Sequence, residues 1–93
     1  MYYRVTTFSF NPDREDDMLA VANAAADEMK AIAGLQSATI VRVGDGKTIT
    51  IGAYDTEESA AAAQPKIQSI LGRLGDMLTA PPEAQEGPVI FEV

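Results

Sequence analysis

Residues 35–54 read Leu35-Gln36-Ser37-Ala38-Thr39-Ile40-Val41-Arg42-Val43-Gly44-Asp45-Gly46-Lys47-Thr48-Ile49-Thr50-Ile51-Gly52-Ala53-Tyr54. Two runs rich in β-branched residues, Leu35 to Val43 and Lys47 to Tyr54, flank Gly44-Asp45-Gly46. Asp-Gly is a strong signal for a two-residue hairpin loop, because both central positions need positive φ. With Asp45 and Gly46 as that loop, Ile40 faces Ile51, Ala38 faces Ala53 and Arg42 faces Ile49. One side of the hairpin is then aliphatic except at Arg42 and suits a covering layer of helix. The other side collects Ser37, Thr39, Val41 and Val43 with Thr48, Thr50, Gly52 and Tyr54.

Outward from the hairpin, each flank predicts a helix and then a strand. Residues 2–10, with Tyr, Val, Thr and Phe, read as a first strand. Asn11 follows as a helix cap, Pro12 suits a first helical position, and Asp13, Glu15, Asp16 and Asp17 favour the positive helix end. That acidic group reads as electrostatic capping rather than as metal ligands. Met18, Ala22, Ala25, Met29 and Ile32 then recur at helical spacing, and Gly34 is the natural stop. Beyond the hairpin, Thr56 caps a second helix whose apolar side runs from Ala60 through Ile67, Ile70 and Leu74 to Leu78. Pro65 within it predicts a kink or a break. Ala80 to Gly87 reads as a loop, and Pro88 to Val93 as a last short strand.

The resulting order, β-α-β-β-α-β, is that of a ferredoxin-like α+β fold: a four-stranded antiparallel sheet with two helices on one face. One domain over residues 1–93 is expected from the length. Fifteen alanines make the core thin, and the sheet face opposite the helices is too apolar to be left in water. A symmetric homodimer, pairing two such faces, is the simplest way to cover it.

Composition removes whole classes of chemistry. The 93 residues contain no cysteine and no histidine. That excludes thiol nucleophiles, zinc-thiolate sites, His-ligated metals and haem, and His-based triads. Seven Lys+Arg against fourteen Asp+Glu give a net charge of −7, and the seven cations are scattered singly. Nucleic acid and anionic membrane surfaces are therefore poor partners. The sequence starts almost at once with strand residues and has no apolar run near the ~20 residues of a membrane helix, so a soluble, cytoplasmic protein is expected.

Two short stretches, Gly34-Leu35 opening the second strand and Tyr54-Asp55-Thr56-Glu57-Glu58 leaving the third, resemble the antibiotic biosynthesis monooxygenase family. The resemblance extends to the element order over the whole chain. It implies a dimeric α+β barrel and a monooxygenase that uses no metal or cofactor. Family members commonly carry a tryptophan where this chain has Tyr54, and many carry a histidine where it has Ala63.

Cofactor-free oxygenation, as the resemblance implies it, needs a cavity that binds a small, oxidisable, often phenolic or quinol-type molecule and stabilises its anion. Arg4 and Tyr54 are the candidate catalytic groups, since a cation and a phenolic donor favour developing negative charge in a dry pocket. Thr6, Thr39, Thr50 and Glu92 are candidate substrate-binding residues. Placing Tyr3, Val5 and Thr7 toward the helices leaves Tyr2, Arg4, Thr6 and Phe8 facing the barrel lumen, because the reverse would bury Arg4 in the helix layer at a cost. Glu92, on the last strand, then faces the lumen beside Arg4 and pairs with it. The same residues have structural readings: Arg4–Glu92 as an ion pair lining an interface, Tyr54 as an interface aromatic, the threonines as strand formers. A non-catalytic small-molecule binding or sensing dimer, or a ligand-free dimerisation domain, are the alternatives to an enzyme.

Overall fold

The hairpin forms around Asp45-Gly46, with Gly46 at φ +69° and Gly44 paired to Lys47. Beyond that pair the register slips. A bulge between Arg42 and Gly44 takes up one residue, so Arg42 faces Thr48, Ile40 faces Thr50, Thr39 faces Ile51 and Ala38 faces Gly52. Because side chains alternate with a period of two, the extra residue moves the side chains from Arg42 back to Ser37 to the other face, until a second shift at Gln36 sets Leu35 opposite Tyr54. The faces expected from the unbulged hairpin are therefore wrong. Thr48, Thr50, Gly52 and Tyr54 share a face with Ile40 and Ala38, while Thr39 and Val41 share the other with Ile49 and Ile51.

The computed structural model describes residues 1–93. Strand β1 (Tyr2–Ser9) leads through a 3-10 turn, Pro12–Arg14, into helices α1 (Glu15–Ala24) and α2 (Ala26–Lys30). The hairpin of β2 (Leu35–Gly44) and β3 (Lys47–Tyr54) follows, then α3 (Glu57–Leu71), a 3-10 segment Gly72–Met77 and β4 (Glu83–Pro88). The strands form one antiparallel sheet in the order β2-β3-β1-β4. This is the ferredoxin-like α+β arrangement that the element order predicts.

Local chemistry explains the ends and breaks of the helices. Asn11 caps the first turn, its side chain accepting from the Asp13 amide at 3.0 Å, with Pro12 next in line. The expected single first helix is divided at Ala25 (φ −91°, ψ −3°), which is fully buried. Its stripe nevertheless faces the sheet, as Met18, Ala22 and Met29 line the space beneath it. Thr56 caps α3 by accepting from the Ser59 amide at 3.0 Å. The helix then runs through Pro65 without the expected break. Pro65 and Ala61, the residue whose carbonyl loses its partner, are both exposed, so water can satisfy that carbonyl and the ring meets no neighbouring layer.

Tyr2, Tyr54, Ala60 and Ala63 form the central packed cluster, flanked by Ile32, Leu35 and Ile67. Tyr2, Arg4, Thr6 and Phe8 are all buried on the helix side, whereas Tyr3 is exposed. This reverses the expectation for β1. The opposite sheet face carries Tyr3, Val5, Thr39, Val41, Ile49 and Ile51, none of them buried within the chain.

The last strand also differs from expectation. β4 comprises Glu83–Pro88 and pairs with β1, Arg4 opposite Glu86 and Thr6 opposite Ala84. Residues 89–93 extend past the sheet, tied by Val89 N–H to the Met1 carbonyl at 3.0 Å, with Ile90, Phe91 and Val93 exposed. Glu-Ala-Gln-Glu-Gly has poor β propensity, but it is an edge strand, where charges and a terminal proline are tolerated.

Candidate functional site

Arg4 is the centre of the site. It is 8% exposed, and its side chain is held from three directions. Nε donates to Glu86 Oε2 at 2.7 Å, Nη2 donates to the Ala60 carbonyl at 3.2 Å, and Nη1 donates to Tyr54 Oη at 3.5 Å. Its guanidinium carbon also stands 5.5 Å from the centre of the Tyr54 ring. A buried cation is tolerable when paired and hydrogen-bonded, and these contacts offset the cost that argued against this face. Glu92 supplies none of them, because it lies in the exposed tail. Glu86 is Arg4's carboxylate partner.

The two motif stretches meet directly beside this centre. Leu35 faces Tyr54, and the Asp55 amide donates to the Gly34 carbonyl at 2.9 Å. Gly34 has φ +83°, and a Cβ there would lie 2.3 Å from Ser59 Oγ and 2.6 Å from Asp55 Oδ1. The glycine thus lets the end of the first helical region dock onto the start of α3, which fixes Tyr54 at the junction. Burial pushes the Tyr54 phenol above its usual pKa, with Arg4 opposing the shift. The phenol stays protonated at neutral pH and can act as a donor. Tyr2 is also raised, first by burial and then by the Glu86 charge.

Between the helices and the sheet lie two adjoining cavities. The first, about 100 Å³, is walled by Phe8, Phe10, Met18, Ile70 and Leu74, with Thr48 and Thr50 in its lining and the exposed Leu19 and Ile40 at its edge. The second, about 80 Å³, is bounded by Arg4, Thr6, Thr50, Gly52, Tyr54 and Ile67. They share Phe8, Met29, Thr50, Ile70 and Leu71. Arg4 and Thr6 also border an open groove of about 460 Å³ between the end of α3 and β4, with Gln64 and Gln68 on its helix side. An apolar space therefore adjoins a polar mouth that holds the one buried guanidinium.

The structure brings Arg4, Tyr54, Thr6 and Thr50 together on the helix side of the sheet. It places Thr39 on the opposite face and Glu92 outside the sheet. The expected position in a lumen between two sheets is corrected to a space within one chain. Sequence reasoning missed Glu86, which follows from the true β4 register, and Gln64, a polar residue set in the apolar stripe of α3. Gln64 Oε1 is buried with no hydrogen-bond partner. It also missed Thr48, which stands opposite Phe8 of β1 and so shares the helix side of the sheet. No group of three or more acidic side chains is placed to hold a metal ion, and the acidic residues near Asn11 pair outward, Arg14 with Asp17 and Arg42 with Glu15. No helix is long and apolar enough to cross a membrane.

The fold is shared with antibiotic biosynthesis monooxygenase-like proteins over the whole chain. A protein of Nitrosomonas europaea assigned to that class superposes with a TM-score of 0.83 at 15% identity, covering 98% of this chain and 100% of the other. A monooxygenase of Streptomyces coelicolor, solved with nanaomycin D bound, gives 0.75 at 19% identity, covering 99% and 89%. A Mycobacterium tuberculosis protein gives 0.78 at 17%, covering 98% and 96%. No protein-family model and no curated protein matches the sequence.

Proposed function

We propose that this chain is a cofactor-independent monooxygenase-like protein that oxidises a small aromatic or quinol-type molecule held between its helices and sheet. The observation that supports it most is an apolar space opening onto a buried Arg4–Tyr54 pair. A fold in common with a monooxygenase that binds nanaomycin D adds weight. An aromatic ring suits the apolar walls. A phenolic hydroxyl at the mouth would lie near the Arg4 cation, which favours its anion, and near the protonated Tyr54, which can donate to it. The anion is the electron-rich form that reacts with dioxygen. Thr6 and Thr50 line the path between mouth and interior. The reading also includes a homodimer, in which Tyr3, Val41, Ile49 and Ile51 of the open face pack against the same face of a second copy.

Oxygen uptake with a panel of quinols and phenols tests the reaction. Turnover by the parent protein, reduced at least tenfold in Arg4→Ala and in Tyr54→Phe while ligand still binds, is the expected result. Absence of turnover on every compound that binds would overturn catalysis. Sedimentation at micromolar concentration tests the dimer, and a monomer there would overturn that part.

A further inference from the structure

We infer that Thr48 selects the ligand at the end of the cavity away from Arg4, where it takes a hydroxyl or carbonyl oxygen carried on that edge of an otherwise apolar molecule. The inference rests on the reading of the cavity as the ligand site and adds which group of the ligand lies at that end. Thr48 is 5% exposed, and its hydroxyl is sealed from solvent with no hydrogen-bond partner in the chain. An unmet buried hydroxyl is unfavourable, so this position is poorly explained as packing alone. Thr48 stands in the wall of the first cavity, opposite Phe8 on the neighbouring strand, with its hydroxyl oxygen turned into the packing rather than into the space. The surrounding walls are Phe10, Met18, Ile70 and Leu74, which offer the hydroxyl nothing. Glu15, the charged side chain of that lining, is engaged by Arg42, whose Nε donates to it at 2.7 Å.

Threonine has staggered χ1 wells that exchange the places of its methyl and hydroxyl, so the wall can present either to a ligand. Arg4, four positions along the paired strands, is roughly 13 Å away at the strand repeat. The two polar anchors are therefore separate. Thr48 reads one end of a ligand, and Arg4 with Tyr54 reads the end at the mouth.

The test uses two probes of nearly the same shape, 2-naphthol and 2-methylnaphthalene, titrated into the ¹⁵N-labelled protein and followed by amide shifts. The parent protein should bind 2-naphthol about tenfold more tightly, the size expected of one buried hydrogen bond. Thr48→Val should abolish or invert that preference, since the naphthol oxygen would then be buried unpaired, while Thr48→Ser should keep it. Thr48→Ala carries the same test should valine disturb packing. Equal preference in parent and Thr48→Val, or a parent that favours 2-methylnaphthalene, would overturn the role of Thr48 and leave the cavity reading intact. Failure of the parent to bind either probe would overturn both.

Discussion

Arg4 and Glu86 stand opposite one another on β1 and β4, and their side chains close a 2.7 Å ion pair at the mouth of the cavity. The two partners are unequal. Arg4's side chain is 9% exposed and Glu86's 44%, so the carboxylate reaches in from the edge strand to meet a cation that has little other access to water. That asymmetry decides what each substitution should do.

Glu86→Gln keeps the size and one hydrogen-bonding oxygen but removes the charge. The Ala60 carbonyl and the Tyr54 ring still hold Arg4, and the partly exposed Glu86 limits the loss. Destabilisation by about 1–2 kcal/mol is expected in urea denaturation. Glu92→Gln, at the position that the apolar tail suggests as a partner, should stay within about 0.5 kcal/mol of the parent.

Gly34→Ala should be far more damaging than its small size implies. A left-handed φ costs a non-glycine residue roughly 1–2 kcal/mol, and the new methyl group would also have to displace Ser59 and Asp55. A total loss of roughly 2–4 kcal/mol is expected by thermal or chemical unfolding. Ser59→Gly in the same chain should return only the Ser59 share of the steric part, because Asp55 Oδ1 would still lie 2.6 Å from the new methyl, and should leave the backbone part.

Glu28 ties α2 to the far end of α3 and the segment after it. Its carboxylate meets Arg73 at 2.8 Å and Lys66 at 3.1 Å, and these cations hold its pKa down to about 2. A carboxylate depressed in the folded state stabilises it above the unfolded pKa, near 4.5, and loses that contribution as pH falls toward about 2. Glu28→Gln should therefore lower Tm at pH 7 and have a shrinking effect between roughly pH 4.5 and 2. The difference should also shrink in high salt, because the pair is open to solvent.

The sequence carries the order of elements, the hairpin loop and both helix caps in local signals: Asp45-Gly46, Asn11-Pro12 and Thr56 each act on their own neighbours. The side that each strand presents is a longer-range property. It turned on the bulge before Gly44, which no residue of Leu35–Val43 announces, and on whether Arg4 would find partners beneath the helices. Arg4, Tyr54, Thr6 and Thr50 were legible as polar residues in apolar strands. Glu86 was not, because Glu83–Pro88 lacks strand formers and earns its place only by pairing with β1. Glu92 stands among more apolar, strand-like residues in the sequence, and Thr39 belongs with Tyr54 only in an unbulged register.

The extra residue before Gly44 has a consequence for how such a chain can change. Between its two register shifts β2 lends Ala38 and Ile40 to the helix side of the sheet and leaves Thr39 and Val41 on the open face. Loss of a single codon at Val43 would trade these two roles over residues 37–42 while altering no other amino acid. Interior and exterior here are thus assigned by counting as much as by composition. A lineage could exchange them in one step of length, faster than by any series of substitutions.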